Sequence, residues 1–530
     1  MDSGRYYLNQ NVQLEPLINQ WYGWPHLVAP ATAAMNITNS HIKIMKSYVM
    51  APQIHAAAVK NPAMRGGPFL DLDGNRVDSV KRLLDKTVKE QAPMIELAHA
   101  IRSLNEMLLN EARGYSLESL YERVPSILKG YIELTYDLNN TPAIRFIEAL
   151  LYKSHYYDKS RQSLSLGLAR DDRRSFVFST PRLEEEGRLY LNIPFDDESV
   201  DELFSMRYVS QQAGYIKDRL GLNGKEPLFK SLLTQEEPYP CEKYRGESVR
   251  IRYFGHACIQ IESNAVSIMT DPVISSHQCE NAEVRRLTYR DVPDAIDYVL
   301  LTHGHSDHVV LESLLQLRHK IKTIIVPRSG GGALEDPSLK MVLKNIGFKD
   351  VVEIDELESI EFDGGSITGI PFLGEHGDLA IRSKMAHLIR IQDKAIMCAA
   401  DSRNVDEKLY EHVHHVTGDV DVLFLGMECD GAPMSWLYGS LLMKPLERKM
   451  DHSRRLCGSD CEKGMAIVRQ LKCKQVYVYA MGQEPWLSFI TSIKYTDEST
   501  PIVESNKLIE SCRSQGIVAE RLYEAKELLI

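Results

Sequence analysis

The 530-residue chain has no run of about 20 apolar residues, so no segment is built to cross a bilayer as a helix. Residues 1–7 pair no basic stretch with an apolar one, so a secretory leader is not supported. Nine cysteines are scattered without a CxxC pair. Cys457 and Cys461 lie four apart, but no histidine cluster joins them in sequence. Reduced thiols of a cytoplasmic protein are the expectation. Positive charge does not predominate. The 62 Lys and Arg against 73 Asp and Glu leave a net charge of -11, which argues against a general nucleic-acid binder. No tandem repeat or low-complexity tract is visible. What is present, 44% hydrophobic and 25% charged residues, is ordinary for a soluble enzyme. The length is about twice what one hydrophobic core fills, so two domains are expected.

Residues 1–245 carry no chemical motif and read as a large, mostly helical α+β domain. Arg65-Gly-Gly-Pro68 and Asp71-Leu-Asp-Gly74 are turn signals. Val80, Leu83, Leu84 and Val88, then Leu97, Ile101, Leu104 and Leu108, have helical spacing broken or kinked at Pro93. Residues 116–153 read as helical too, with Ser116 as N-cap. Residues 189–193 alternate as a strand. A second domain, 246–530, begins near Ser248. Strand patterns recur at 249–254, 257–261, 266–269, 324–326, 351–354, 366–370, 386–391, 394–398, 422–425 and 475–479. Helical runs at 334–346 and 460–471 suggest two sheets with helices outside.

The densest chemistry is Leu301-Thr-His303-Gly-His305-Ser-Asp307-His308, three imidazoles and a carboxylate within six residues. The strand-like 298–301 leads in and the helix-like 309–315 leads out. A turn there points His303, His305, Asp307 and His308 at one region, ligand chemistry for one or two transition metals. Two acids at strand ends can complete the site: Glu375, and Asp401, whose carboxylate can bridge two ions. His376 competes with Glu375. Neighbours on an extended strand face opposite ways, so only one of the two is expected to reach the metals.

With Asp271-Pro272 and Asp401, the His303–His308 motif resembles the metallo-β-lactamase superfamily over about residues 248–490, implying a C-terminal αββα sandwich. Most such enzymes are zinc hydrolases with a late histidine ligand. Here the strand at 475–479 runs into Ala480-Met-Gly-Gln-Glu484, and that histidine is missing. His452 is a substitute in a basic, surface-type segment. The full chain resembles a narrower group, the diiron β-hydroxylases of nonribosomal peptide assembly, which have a large N-terminal domain and a glutamate where hydrolases use histidine. The resemblance implies one iron on His303, His305 and Glu375, the other on Asp307 and His308, Asp401 bridging or approaching both, and Glu428 as an acid beside the cluster. Otherwise Glu428 caps a loop at a strand's end. Glu375, Asp401 and Glu428 are then the candidate catalytic acids.

The implied cofactors are two oxo- or hydroxo-bridged iron ions, with O2 as co-substrate and an external electron donor. The implied reaction is β-hydroxylation of an amino acid, aromatic ones among the candidates, held as a thioester on the carrier domain of a nonribosomal peptide synthetase. An electron-transfer protein or reductant and a homodimer are the other implied partners, with no membrane or nucleic acid. Hard carboxylate donors suit the oxidised iron states. The alternative is a dinuclear Zn or Mn hydrolase or lactonase using His376. His256 is a weaker site candidate at a turn, and His387 reads as a core histidine. The basic islands 318–322 and Arg448, Lys449, Arg454 and Arg455 are docking candidates or solvated faces. Aromatics at 21–24 with Trp436, Tyr438 and Trp486 line a pocket or fill a core.

Overall fold

The computed structural model describes residues 4–530 except 65, 223, 240 and 277–283, so Arg65 of the first turn signal and Cys279 lie outside the described residues. Residues 250–530 form two seven-stranded sheets packed face to face. The first runs Val351–Ile354, Ile321–Pro327, Ile296–Leu300, Ser267–Thr270, Cys258–Glu262, Arg250–Gly255, Lys526–Leu529. The second runs Ser359–Phe362, Gly365–Ile370, Ala386–Ile391, Lys394–Cys398, Val422–Gly426, Gln475–Tyr479, Val518–Arg521. Ile251, Ile259, Ile268, Ile389, Ile396 and Phe424 fill the space between them. Helices Cys461–Gln470 and Thr500–Ser514 cover the outer face of the second sheet. Strands buried on both faces explain why near-continuous β-branched runs occur here.

In the first sheet the four strands from 267 to 354 are parallel, and in the second so are the strands at 394–398, 422–426, 475–479 and 518–521. Parallel strands gather their carboxyl ends at one edge, where side chains from many segments converge. Asp271, His303, Asp401, Glu428 and Glu484 all follow such ends.

The first half packs helices Val77–Glu90 and Ala92–Glu111 against Pro30–Asn36 and Ile42–Met50. The break falls where Pro93 was expected to place it, with the proline in the first turn of the second helix. The expected helix over 116–153 is absent. Ser116 accepts the Glu118 N–H in a tight turn instead of capping a helix. Short 3-10 turns lead to a hairpin, Ile132–Tyr136 with Pro142–Phe146, and only Glu148–Tyr152 is α-helical. Asp137 organises the turn by accepting N–H groups of Asn139 and Thr141 at 2.8 and 2.7 Å, and Asn140 takes a positive φ of 59°. Among the described residues eight cysteines are unpaired.

The halves are joined by buried charge. Arg174 contacts Glu15 and Glu312, both at 2.7 Å, and its guanidinium stacks 3.5 Å from the Phe489 ring centroid. Arg182 also pairs with Glu15, and Tyr22 donates to Glu312. Arg318 and Lys320, expected in an exposed basic island, are buried here too. Arg318 pairs with Asp201 and donates to the Ile346 carbonyl, so these two residues are unavailable for docking. Arg174→Ala leaves two buried carboxylates short of a partner, and is expected to cost about 3–5 kcal/mol in chemical denaturation.

His387 is a core residue, as its strand position suggested. It is fully buried, and neither ring nitrogen has a hydrogen-bond partner among the described residues. Burial holds its pKa down at about 3, from an ordinary 6.5. The unfolded chain therefore binds a proton that the folded chain refuses between those values, and stability falls as pH drops through this window. His387→Phe should flatten the stability profile by about 1.4 kcal/mol per pH unit between pH 6 and 4, read by denaturation at several pH values.

Candidate metal centre

His303, His305, Asp307 and His308 follow the strand Ile296–Leu300 in a loop that leads to the helix Leu311–Leu317. His303 and His308 are wholly buried and His305 nearly so. Two long-range arms meet them. Glu375 brings Oε1 to 2.9 Å from His305 Nδ1 and Oε2 to 3.6 Å from His303 Nε2. Asp401 Oδ2 lies 3.1 Å from His308 Nε2 and 3.9 Å from His303 Nε2. Donor atoms fall into overlapping groups, His303–His305–Glu375–His376 and His303–His308–Asp401, with a third of His256, Asp307 and His308. Glu428 joins Asp307, Glu375 and Asp401 in lining one cavity.

Glu375 and His376 both turn toward the cluster, although only one of them was expected to reach the metals. The pair does not lie on an extended strand. Gly374 and Glu375 have φ values of +77° and +67°, and this left-handed turn swings both side chains inward. Their parts differ, however. Glu375 lines the cavity, whereas His376 turns Nδ1 toward Glu375 Oε2 at 3.1 Å and the Gly374 carbonyl at 3.3 Å. His452, the candidate substitute for the late histidine, is exposed on the helix Arg448–Ser453 and is not among the residues lining the metal cavity.

An outer layer fixes the rings. Asp271 takes the Thr302 N–H on one oxygen at 2.8 Å, and on the other contacts Thr302 Oγ1 at 2.6 Å and His308 Nδ1 at 2.8 Å, turning His308 Nε2 toward Asp401. His256 Nε2 stands 3.3 Å from Asp307 Oδ2, so this residue belongs to the site. Where the late histidine of hydrolases was expected, buried Glu484 accepts the His256 N–H at 2.8 Å and bonds Tyr253. Tyr438 is a further partner that sequence reading left undecided, its hydroxyl 2.9 Å from His305 Nε2. Backbone strain gathers here: His256, Asp271, Glu375, Ala400 and Ala480 all have φ between 33° and 67°.

The donor chemistry fits cations. Among the described residues, His303 Nε2, Glu375 Oε2, His376 Nε2 and Asp401 Oδ1 are buried without a hydrogen-bond partner. Burial and then neighbouring imidazoles hold His303 well below the usual histidine range, leaving a neutral ring with a free lone pair. Burial, then the charges of Asp401, Asp307 and Glu375, push Glu428 well above the carboxylate range, and burial raises Glu375 to about 7. Burial alone would raise Asp307, but the His256 and His308 contacts outweigh it and hold it low. Crowded carboxylates that favour protons are those a multivalent cation relieves.

The metal cavity is about 70 Å³ and has a largely apolar wall of Phe176, Phe178, Trp436, Leu437, Leu456 and Ile490. Phe176 and Phe178 come from the first half, where no motif pointed to them. Trp436 does line the site. Trp21, Tyr22 and Trp24 are buried core residues, and Trp486 stacks under Arg286 beside another cavity.

A two-sheet sandwich with a His/carboxylate cluster at one edge defines a metallo-β-lactamase-like metalloenzyme, and a beta-lactamase superfamily domain model matches residues 267–476. The diiron non-heme beta-hydroxylase N-terminal domain model matches residues 7–238. The chain belongs to the diiron non-haem β-hydroxylases. It is 37% identical over 527 residues, 98% of each chain, to the 4-amino-L-phenylalanyl-[CmlP-peptidyl-carrier-protein] 3-hydroxylase of Streptomyces venezuelae. The crystal structure of CmlA, a diiron β-hydroxylase from Streptomyces venezuelae, superposes with a TM-score of 0.93 at 38% identity, covering 99% of both chains. A metal-dependent hydrolase of Geobacillus thermodenitrificans is 39% identical over only 61 residues, 12% of this chain and 24% of that one. Among the described residues no helix is long and apolar enough to cross a membrane.

A metal held on His305 Nδ1 would leave the Nε2–H to donate to Tyr438. Removing that acceptor in Tyr438→Phe should weaken binding of one iron about tenfold in anaerobic Fe(II) titration while leaving the fold intact.

Proposed function

We propose that this enzyme β-hydroxylates an amino acid held as a thioester on a carrier-protein domain, using His303, His305, Asp307, His308, Glu375 and Asp401 as iron ligands. The observation that carries the reading is the single cavity where Asp307, Glu375, Asp401 and Glu428 face Phe176, Phe178 and Trp436. Two bound irons would supply dioxygen reduction. Replacing C–H by C–OH with one oxygen atom, and releasing the other as water, takes two electrons and two protons from outside. An electron-transfer protein or small reductant is therefore part of the reading, as are a cytoplasmic setting and the homodimer.

The protein's own groups divide the remaining work. The apolar wall holds the amino-acid side chain and excludes water, and the relative's 4-amino-L-phenylalanyl substrate makes an aromatic side chain the first candidate. Asp401, between His303 and His308, is the natural bridge. His376 orients Glu375 rather than replacing it. Glu428 lines the same cavity beside the cluster, where it can take or give a proton. Residues 246–530 act as the catalytic domain, and residues 1–245 supply its roof and a carrier-docking surface.

Metal analysis with visible absorption on reduced, then reoxidised, protein tests this. The expected result is iron with a ferric band that bleaches on reduction, and O2 uptake that rises when a 4-amino-L-phenylalanyl carrier is added. Glu375→Ala should lose one of the two irons and the hydroxylation, whereas His376→Ala should keep both irons with reduced turnover. Stoichiometric zinc in iron-replete protein, with His376→Ala the more damaging change, would move the assignment to a hydrolase.

A further inference from the structure

We infer that the groove outside the metal cavity is the seat of a phosphopantetheine arm, with the arm's phosphate on Arg448 and His452. This rests on the carrier-bound substrate proposed above. The groove, about 610 Å³, shares Glu428, Ala432, Trp436, Thr491 and Ile493 with the metal cavity, so the two spaces meet at these residues. One wall is the first-half loop Met64, Gly67, Pro68 and Phe69. That loop closes on Trp436 because Gly66, at φ +74°, carries no side chain, and a Cβ there would overlap the ring.

A cavity of about 70 Å³ cannot admit a folded carrier, so the reacting carbon must arrive on a thin chain. A phosphopantetheine arm is such a chain: neutral along its length, with one anionic phosphate at the end joined to the carrier. The groove has the matching polarity. Its inner end is acidic, at Glu428. Its outer part carries Arg448, His452 and Arg455.

The acids along the groove are already engaged. Asp430 pairs with Arg455 at 3.2 Å, and Asp451 accepts the Ser435 N–H and hydroxyl at 3.0 and 2.6 Å. No carboxylate among the described residues pairs with Arg448 or His452, and both are exposed. Residues 444–455 hold five Lys and Arg against two acids, on a chain whose net charge is -11. A guanidinium fork suits phosphate geometry, and Arg448 and His452 line the groove but not the metal cavity, so the phosphate stays outside and the thioester points inward.

The test is binding to the iron-loaded enzyme of 4′-phosphopantetheine, of pantetheine lacking the phosphate, and of inorganic phosphate alone. The expected result is about tenfold tighter binding of phosphopantetheine than of pantetheine, lost in the Arg448→Ala/His452→Ala double variant and partly kept in Arg448→Lys. Inorganic phosphate should not compete at matching concentrations. Equal affinity for the two arms, unchanged discrimination in the double variant, or competition by phosphate alone would overturn the proposal. These readouts need no turnover. Failure of the hydroxylase reading would appear instead as an inactive or iron-free protein with phosphate discrimination intact.

Discussion

The buried pairing of Arg174 with Glu15 and Glu312 is the constraint on which the rest depends. Glu312 lies four residues past His308, on the helix that leaves the metal loop, and a bare carboxylate there would be costly. Arg174 neutralises it from the other half of the chain. Phe176 and Phe178, which wall the metal cavity, follow Arg174 at intervals of two. One ion cluster therefore sets the metal loop and the roof over it relative to each other. Buried charge of this kind adds little net stability, and its value is geometric, because any other docking strands a charge in the interior.

The metal edge is built from a second crowding of charge. Strand ends from two sheets deliver Asp307, Glu375, Asp401 and Glu428 to one small space, and the backbone enters the left-handed region at five places to do so. Without cations Glu375 and Glu428 favour protons. The folded scaffold therefore stores electrostatic strain that two metal ions discharge, which makes the site a selective one for multivalent cations. Asp271 and Tyr438 then set which ring nitrogen of His308 and His305 faces the cluster.

Much of this was legible in the sequence where the determinants are local. His303–His308 announce themselves by density, and the strands at 351–354, 386–391, 394–398 and 475–479 appear within the bounds their apolar runs set. The break at Pro93 is equally local. The failures are non-local or conformational. Residues 116–153 carry helix-forming side chains, but Asp137-Leu-Asn-Asn140 between two alternating runs was the hairpin signal, and pairing of Ile132 with Phe146 prevailed over propensity. The Glu375–His376 orientation turned on a positive φ that an extended-strand assumption hides. Phe176, Tyr438 and the burial of Arg318 depend on contacts across more than a hundred residues, which no window of sequence contains.

The added first half explains how a hydrolase-type scaffold can serve oxygen chemistry. An exposed metal edge suits hydrolysis, where water is the reactant. Hydroxylation of a C–H bond requires the opposite, since water at the metals competes with substrate and an oxidant formed without substrate is wasted. Phe176 and Phe178 supply an apolar roof that the sandwich alone lacks, and Glu484 occupies the place where a late histidine ligand was expected, spending its carboxylate on His256 and Tyr253. Two changes thus act together. In the proposed reading one gives a carboxylate-rich ligand set without a late histidine, and the other sets an apolar wall beside it. Neither alone would suffice: a carboxylate-rich site open to solvent would leak oxidant, and a roofed site with the full histidine set would retain the ligands of a hydrolase while excluding its reactant.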